Sequence, residues 1–184
     1  MKWDEVMHYR VTEHLRNGLE VTIRAIKPDD KELIVAAFRE LDEATVYMRF
    51  FELKKEITDR ELKWATEIDY VHNIALVGCI RENEGERIIG IGRYVAADEL
   101  TPPSSAEVAF IVEKGYQGLG LASALLRHLM LIGQMQGISR FEAEVLPSNK
   151  AMLRVFGRAG LPMIRTESGD SVHITIFLNK GESK

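Results

Sequence analysis

The stretch Phe110–Met130, FIVEKGYQGLGLASALLRHLM, changes character in its middle and so narrows the folds open to this chain. It starts as an apolar strand, passes Gly118 and Gly120, and continues as a helix to about Gln136. Leu121, Leu125, Leu129, Ile132 and Met135 form one stripe of that helix, and Gly137 stops it. With a second strand at SRFEAEVL, 139–146, the unit reads as a parallel strand–helix–strand crossover, right-handed in nearly all sheets. A glycine costs about 1 kcal/mol relative to alanine inside a helix, so two of them at a helix start answer a demand other than helix stability. Backbone N–H groups at such a start lack intrahelical partners and carry partial positive charge, and a chain without Cβ atoms lets an anion approach them. With Ala122 and Ser123 the side-chain-free surface of QGLGLAS is nearly continuous. A phosphate-bearing ligand explains that bareness; relief of crowding in a plain strand–helix turn explains it equally well.

Two familiar phosphate loops do not match. There is no GxxxxGK followed by Ser or Thr, and Ser123 occupies the third glycine of a dinucleotide fingerprint. Glu113 to Tyr116 also separate the strand end at Val112 from Gln117, although Glu142 and Glu144 stand where a ribose-binding acid would be.

Elsewhere the pattern alternates short strands with amphipathic helices. Residues 10–26 read as a hairpin around Asn17-Gly18. Pro28-Asp29-Asp30 opens a helix with Leu33, Ile34, Ala37, Phe38 and Leu41 on its buried face. Asp42 to Phe51 forms a second helix, and Thr58 with Glu61 caps a third. NIALVGCI and RIIGIGRYVAA pair across RENEGE, LTPPSS is a loop, and AEVAFIV is the next strand. After 139–146, Pro147-Ser148 starts a helix burying Met152, Val155, Phe156 and Ala159 and ending at Gly160. SVHITIFL closes the chain ahead of a loose tail, 178–184. The order predicts one α/β domain over 1–184, with a single mixed, mostly antiparallel sheet flanked by helices.

Composition removes several function classes. A net charge of -4 gives no support to non-specific nucleic-acid binding. No run of about eighteen apolar residues could span a membrane, and the N-terminus has no apolar signal region. Cys79 stands alone in an apolar strand, which excludes an internal disulfide and a thiolate zinc cluster, and the histidines have no metal-binding spacing. The expectation is a soluble, cytoplasmic domain without a metal.

Gln117-Gly118-Leu119-Gly120-Leu121-Ala122 has the form Q-x-x-G-x-A, which resembles the pyrophosphate loop of GNAT-family N-acetyltransferases. The similarity runs over roughly 20–178. AEVAFIV is similar to the family's fourth strand, VTIRAIKPDD to its first strand and helix entry, and PSNKAMLRVFGRAGL to its N-x-x-a…G-F segment, with Asn149 at the asparagine. Ala106-Glu107, the loop and Arg49-Phe50-Phe51 together resemble bacterial protein-lysine acetyltransferases.

The resemblance implies acetyl-coenzyme A as co-substrate and a primary amine as acceptor, with a protein lysine leading and a small-molecule amine second. It implies that the main chain of Gln117, Gly118, Leu119, Gly120, Leu121, Ala122 and Ser123 holds the pyrophosphate. Phe110, Ile111 and Val112 would pair with the pantetheine arm, and Asn149 would bind the coenzyme. Glu107 is the implied general base, and its apolar strand predicts burial that would lift its pKa. Many members carry a tyrosine seven residues after the asparagine, as acid for the departing thiolate; this chain has Phe156 there, with Tyr116 and Tyr94 as unsupported substitutes. The rival reading from another class is a non-catalytic acyl-coenzyme A sensor.

Overall fold

A computed structural model describes residues 3–82, 85–96 and 104–178. A short helix α1 (Trp3–Met7) precedes the hairpin of β1 (Arg10–His14) and β2 (Glu20–Ala25). Helices α2 (Lys31–Arg39), α3 (Glu43–Phe50) and α4 (Asp59–Thr66) follow, then β3 (Asn73–Glu82), β4 (Gly85–Ala96) and β5 (Ser105–Val112). The chain continues through α5 (Leu121–Gln136), β6 (Arg140–Val145), α6 (Lys150–Gly157), β7 (Met163–Ser168) and β8 (Ser171–Phe177). The strands form one open sheet in the order β1-β2-β3-β4-β5-β6-β8-β7. Only β5 and β6 run parallel among the described pairs, as the crossover through α5 requires. The mixed, mostly antiparallel sheet expected from the sequence is therefore the observed one.

Local chemistry sets the helix starts. Asp42 accepts the Thr45 N–H ahead of α3, Thr58 and Glu61 form a reciprocal capping box on α4, and Asn149 accepts the Met152 N–H on α6. A buried ion pair between Arg24 and Asp30, with bonds of 2.8 Å, ties β2 to the turn that launches α2.

Helix α5 sits on one face of the sheet and α2–α4 on the other. On β4, Gly92 lies against Leu129 of α5, whereas the next residue, Arg93, donates to the Trp64 and Ala65 carbonyls at the end of α4. Glycines make the α5 approach close. A Cβ at Gly78 or Gly90 would lie 2.7 or 2.8 Å from Leu121, and one at Gly92 would lie 2.8 Å from the Phe110 ring. The main core fills the α5 side; a second cluster, including Ile26, Ile34, Val77, Cys79 and Ile88, fills the α2–α4 side. Burial there pushes the Cys79 thiol up to about 12, in keeping with a core residue.

Several expectations need correction. Helix α1 has no signature in the sequence reading. Met135 belongs to the predicted apolar stripe but is 51% exposed, like Leu131 one turn before it, while Ile132 and Gly133 take the buried positions of that turn. Helix α6 ends at Gly157, not Gly160, and of its four expected buried residues Phe156 alone is fully buried. All six residues of β7, the edge strand of the sheet, are exposed. The LTPPSS loop and the 178–184 tail lie largely outside the described residues.

Candidate active site

The site originates in a parting of strands. Strand β5 pairs with β4 as far as Val112, and β6 pairs with β8 as far as Val145. Between themselves, β5 and β6 pair only at Ser105↔Arg140, Ala106↔Phe141 and Glu107↔Glu142. Beyond Glu107 the β6-facing edge of β5 therefore carries main-chain groups with no strand partner, and the gap widens towards the start of α5. A sheet edge of this kind accepts an extended chain as an added strand.

The glycine loop closes the wide end. Gly118 and Gly120 adopt φ of +74° and +102°, conformations that a side chain would strain. The glycines thus serve backbone geometry as well as bareness. Among the described residues, no main-chain carbonyl accepts from the N–H groups of Gly118 through Ser123; the first occupied amide of α5 is Ala124, bonded to the Gly120 carbonyl. Six adjacent N–H groups at a helix start are left for an anion. Gln117 braces the loop: its side-chain amide donates to the Val112 carbonyl at 2.9 Å and to the Thr45 hydroxyl at 3.0 Å. Arg16, from the β1–β2 turn, holds the other side, its N–H on the Leu119 carbonyl and its guanidinium on that of Gly118.

Loop, open edge and α6 enclose a groove of about 490 Å³. Of the predicted coenzyme residues, Phe110, Ile111, Val112, Gln117, Gly118, Gly120, Leu121, Ala122, Ser123 and Asn149 line it. Leu119 does not; its side chain packs on the core. The Asn149 side-chain oxygen is committed to the α6 cap, so its amide nitrogen is the group available to a ligand. The groove also gathers Arg16, Arg49, Lys150, Arg154 and Arg158 and contains no carboxylate, in a chain whose net charge is -4. Lys150, Arg154 and Arg158 recur every fourth residue directly after Asn149, a one-sided helical stripe that the sequence displays.

Glu107 lies at the narrow end, where the strands part, in a recess of about 60 Å³ walled by Met48, Arg49, Phe51, Asn149, Met152 and Phe156, among others. The expected burial is not found: Glu107 is exposed, because β6 covers it no further than its own rung. Phe156 packs edge-on to Phe110 at 6.0 Å, with no protic group to offer. Tyr94 is buried beneath the sheet and donates to Gln136, remote from the groove, while Tyr116 lines the loop end.

On the same face of β5 as Glu107, beside Ala109 and Ile111, an apolar chamber of about 260 Å³ opens between β4, β5 and helices α2–α4. Phe38, Phe50, Ile57, Trp64 and Ile91 wall it. Phe50 faces this chamber and Phe51 is 43% exposed beside Glu107, so neither is a core residue. Arg49 borders groove, recess and chamber alike. Its guanidinium stands 5.1 Å over the Phe50 ring and has no hydrogen-bond or ion-pair partner among the described residues. Burial lowers its pKa, which nearby Glu107 partly restores. Arg93, at the chamber's inner wall, is held down to about 10 by burial and by Arg49. Both stay charged at neutral pH.

The sequence profile of the Acetyltransferase (GNAT) family matches residues 36–161. This chain belongs to that family. It is 32% identical over 140 residues to Acetyltransferase PA5475 of Pseudomonas aeruginosa, which covers 76% of this chain and 74% of that protein. It is 32% identical over 155 residues to Acetyltransferase Pat of Mycolicibacterium smegmatis, covering 84% of this chain and 45% of Pat, so it spans under half of that relative. The GNAT domain of S. lividans PAT has the same fold at a TM-score of 0.83 and 31% identity, covering 91% of this chain and 96% of the other. GNAT membership makes the protein an acyltransferase with acetyl-coenzyme A as co-substrate.

Proposed function

We propose that the groove holds acetyl-coenzyme A and that a primary amine attacks its thioester directly, within a ternary complex, next to Glu107. One observation carries this reading: six main-chain N–H groups from Gly118 to Ser123, free of carbonyl partners among the described residues, face a cationic groove without a carboxylate. The amides receive the diphosphate, and the open edge at Phe110–Val112 receives the pantetheine arm as an added strand and offers an N–H to the thioester oxygen.

An alkylammonium has a reference pKa of about 10.4 and must lose its proton before it can attack. Of the two carboxylates in the recess, Glu144 is engaged by Ser171 and His173, whereas Glu107 has no hydrogen-bond partner among the described residues and takes that proton directly or through water. Carbon–nitrogen bond formation gives a tetrahedral oxyanion whose nitrogen loses its second proton to solvent; collapse then breaks the carbon–sulfur bond and releases the thiolate. Phe156 leaves that thiolate to be protonated by solvent.

Residues 1–184 work as one acetyltransferase domain in this reading. A protein lysine as acceptor is supported by the names of the relatives Pat and PAT. A small-molecule amine is favoured by the apolar chamber beside the Glu107 recess. Thiol release with acetyl-coenzyme A over a panel of amines and a protein extract tests the transferase reading. Glu107→Gln is expected to lower turnover by a factor of about 10² or more while thermal stabilisation by coenzyme A persists. Stabilisation of the wild type without thiol release from any amine would establish the sensor reading instead.

A further inference from the structure

The chamber between β4, β5 and helices α2–α4 is an unfilled continuation of the second core, and its position beside the reaction end of the groove asks for an occupant. Its volume is below the roughly 300 Å³ at which pockets for drug-sized ligands begin, and suits a single amino-acid side chain. Its walls are aliphatic and aromatic. Its charged groups are unbalanced. Glu61 is paired with Lys54, and Glu113 with Arg87. Arg93 is bonded to carbonyls and stacked on Trp64 at 4.3 Å, and Arg49 stands over Phe50; neither has an ion-pair partner among the described residues, Arg49 feeling only the more distant charge of Glu107. An ammonium entering this chamber would meet two guanidinium groups; a carboxylate at its mouth would meet the partner that Arg49 lacks. Arg49 and Ala109 wall both the chamber and the Glu107 recess, so the two spaces diverge from one point.

Three groups diverging from one carbon is the shape of an α-amino acid. We propose that the acceptor is a free α-amino acid with a bulky apolar side chain, which fills the chamber while the carboxylate meets Arg49 and the amine faces Glu107. This rests on the transferase reading above and decides its acceptor class. The balance is that of the transfer already described: the α-ammonium loses one proton to Glu107 and a second to solvent, its nitrogen gains the acetyl group, and coenzyme A leaves as the thiolate. Arg49 acts as a specificity-determining residue.

The test compares L-leucine, L-methionine and L-phenylalanine with their amides and with an N-terminally blocked lysine peptide, by thiol release. The acids should exceed the amides by about tenfold or more in kcat/KM, as befits a charge-assisted pair. Arg49→Gln, with folding checked by thermal melting, should erase that acid-over-amide preference. Ala37→Phe, which fills the chamber from α2, should raise KM for L-phenylalanine at least about tenfold relative to L-alanine. Calorimetric titration of L-phenylalanine into protein saturated with coenzyme A reads binding independently of turnover. Equal use of acids and amides, preference for the lysine peptide, failure of all three amino acids to bind, or an Ala37→Phe effect confined to longer acyl donors would each overturn the proposal. Binding of L-phenylalanine without thiol release from any amine would overturn the transferase reading and leave the amino-acid site standing.

Discussion

Asp42 shows how one side chain can serve both a helix and a binding loop. Its carboxylate caps α3, and hydrogen bonds from Thr45, joined by Lys114 at 3.0 Å, hold it near a pKa of about 2, below the usual 3.8. Thr45 in turn meets the Gln117 amide that braces the glycine loop. The folded-state pKa is depressed, so the stabilisation is complete above pH about 4 and is lost as pH falls through about 2. Acid unfolding of Asp42→Asn followed by circular dichroism should therefore lack this component, its stability relative to wild type recovering as pH falls from 4 to 2. At the same scale, Gly92→Ala should cost about 1–3 kcal/mol by overpacking. A Cβ there would meet the Phe110 ring, which is confined by Leu129 and Phe156. Chemical denaturation checks the value.

Among the elements, α6 carries the cationic stripe of Lys150, Arg154 and Arg158 along the groove. Each exposed charge contact is worth at most about 1 kcal/mol, so Arg154→Ala combined with Arg158→Ala should raise KM for acetyl-coenzyme A about tenfold and leave kcat in place. The difference should fade at 1 M salt, where the screening length is about 3 Å. The strand–loop–helix unit around Gly118 and Gly120 was readable in the sequence because its chemistry is local: a strand, bare backbone and a striped helix lie within one short segment. Arg16 was not, since it reaches the loop from a hairpin 102 positions away. The exposure of Glu107 depends on where β5 stops pairing with β6, and alternation in AEVAFIV carries no record of that length. Strand β7 was named by no motif; RTES is polar at successive positions, as a strand bare on both faces permits. The chamber needs three helices and two strands to exist, so no window of residues could announce it.

At the scale of the molecule, an acidic chain has concentrated cations in one groove. Ligand at a hundredfold over its dissociation constant adds about 2.7 kcal/mol to stability, and the same groove joins two parts of the sheet. The strands β1–β5 and β6–β8 pair through three rungs at one end and form no strand pairing across the rest of the gap. Under a pulling force applied between Arg10 and Arg165, those rungs would be loaded one after another, as teeth of a zipper, and not together. A coenzyme lying along the gap would convert that sequential opening into a shared load. Single-molecule extension should then show a higher rupture force with coenzyme A than without it, making the bound substrate a mechanical member of the fold that receives it.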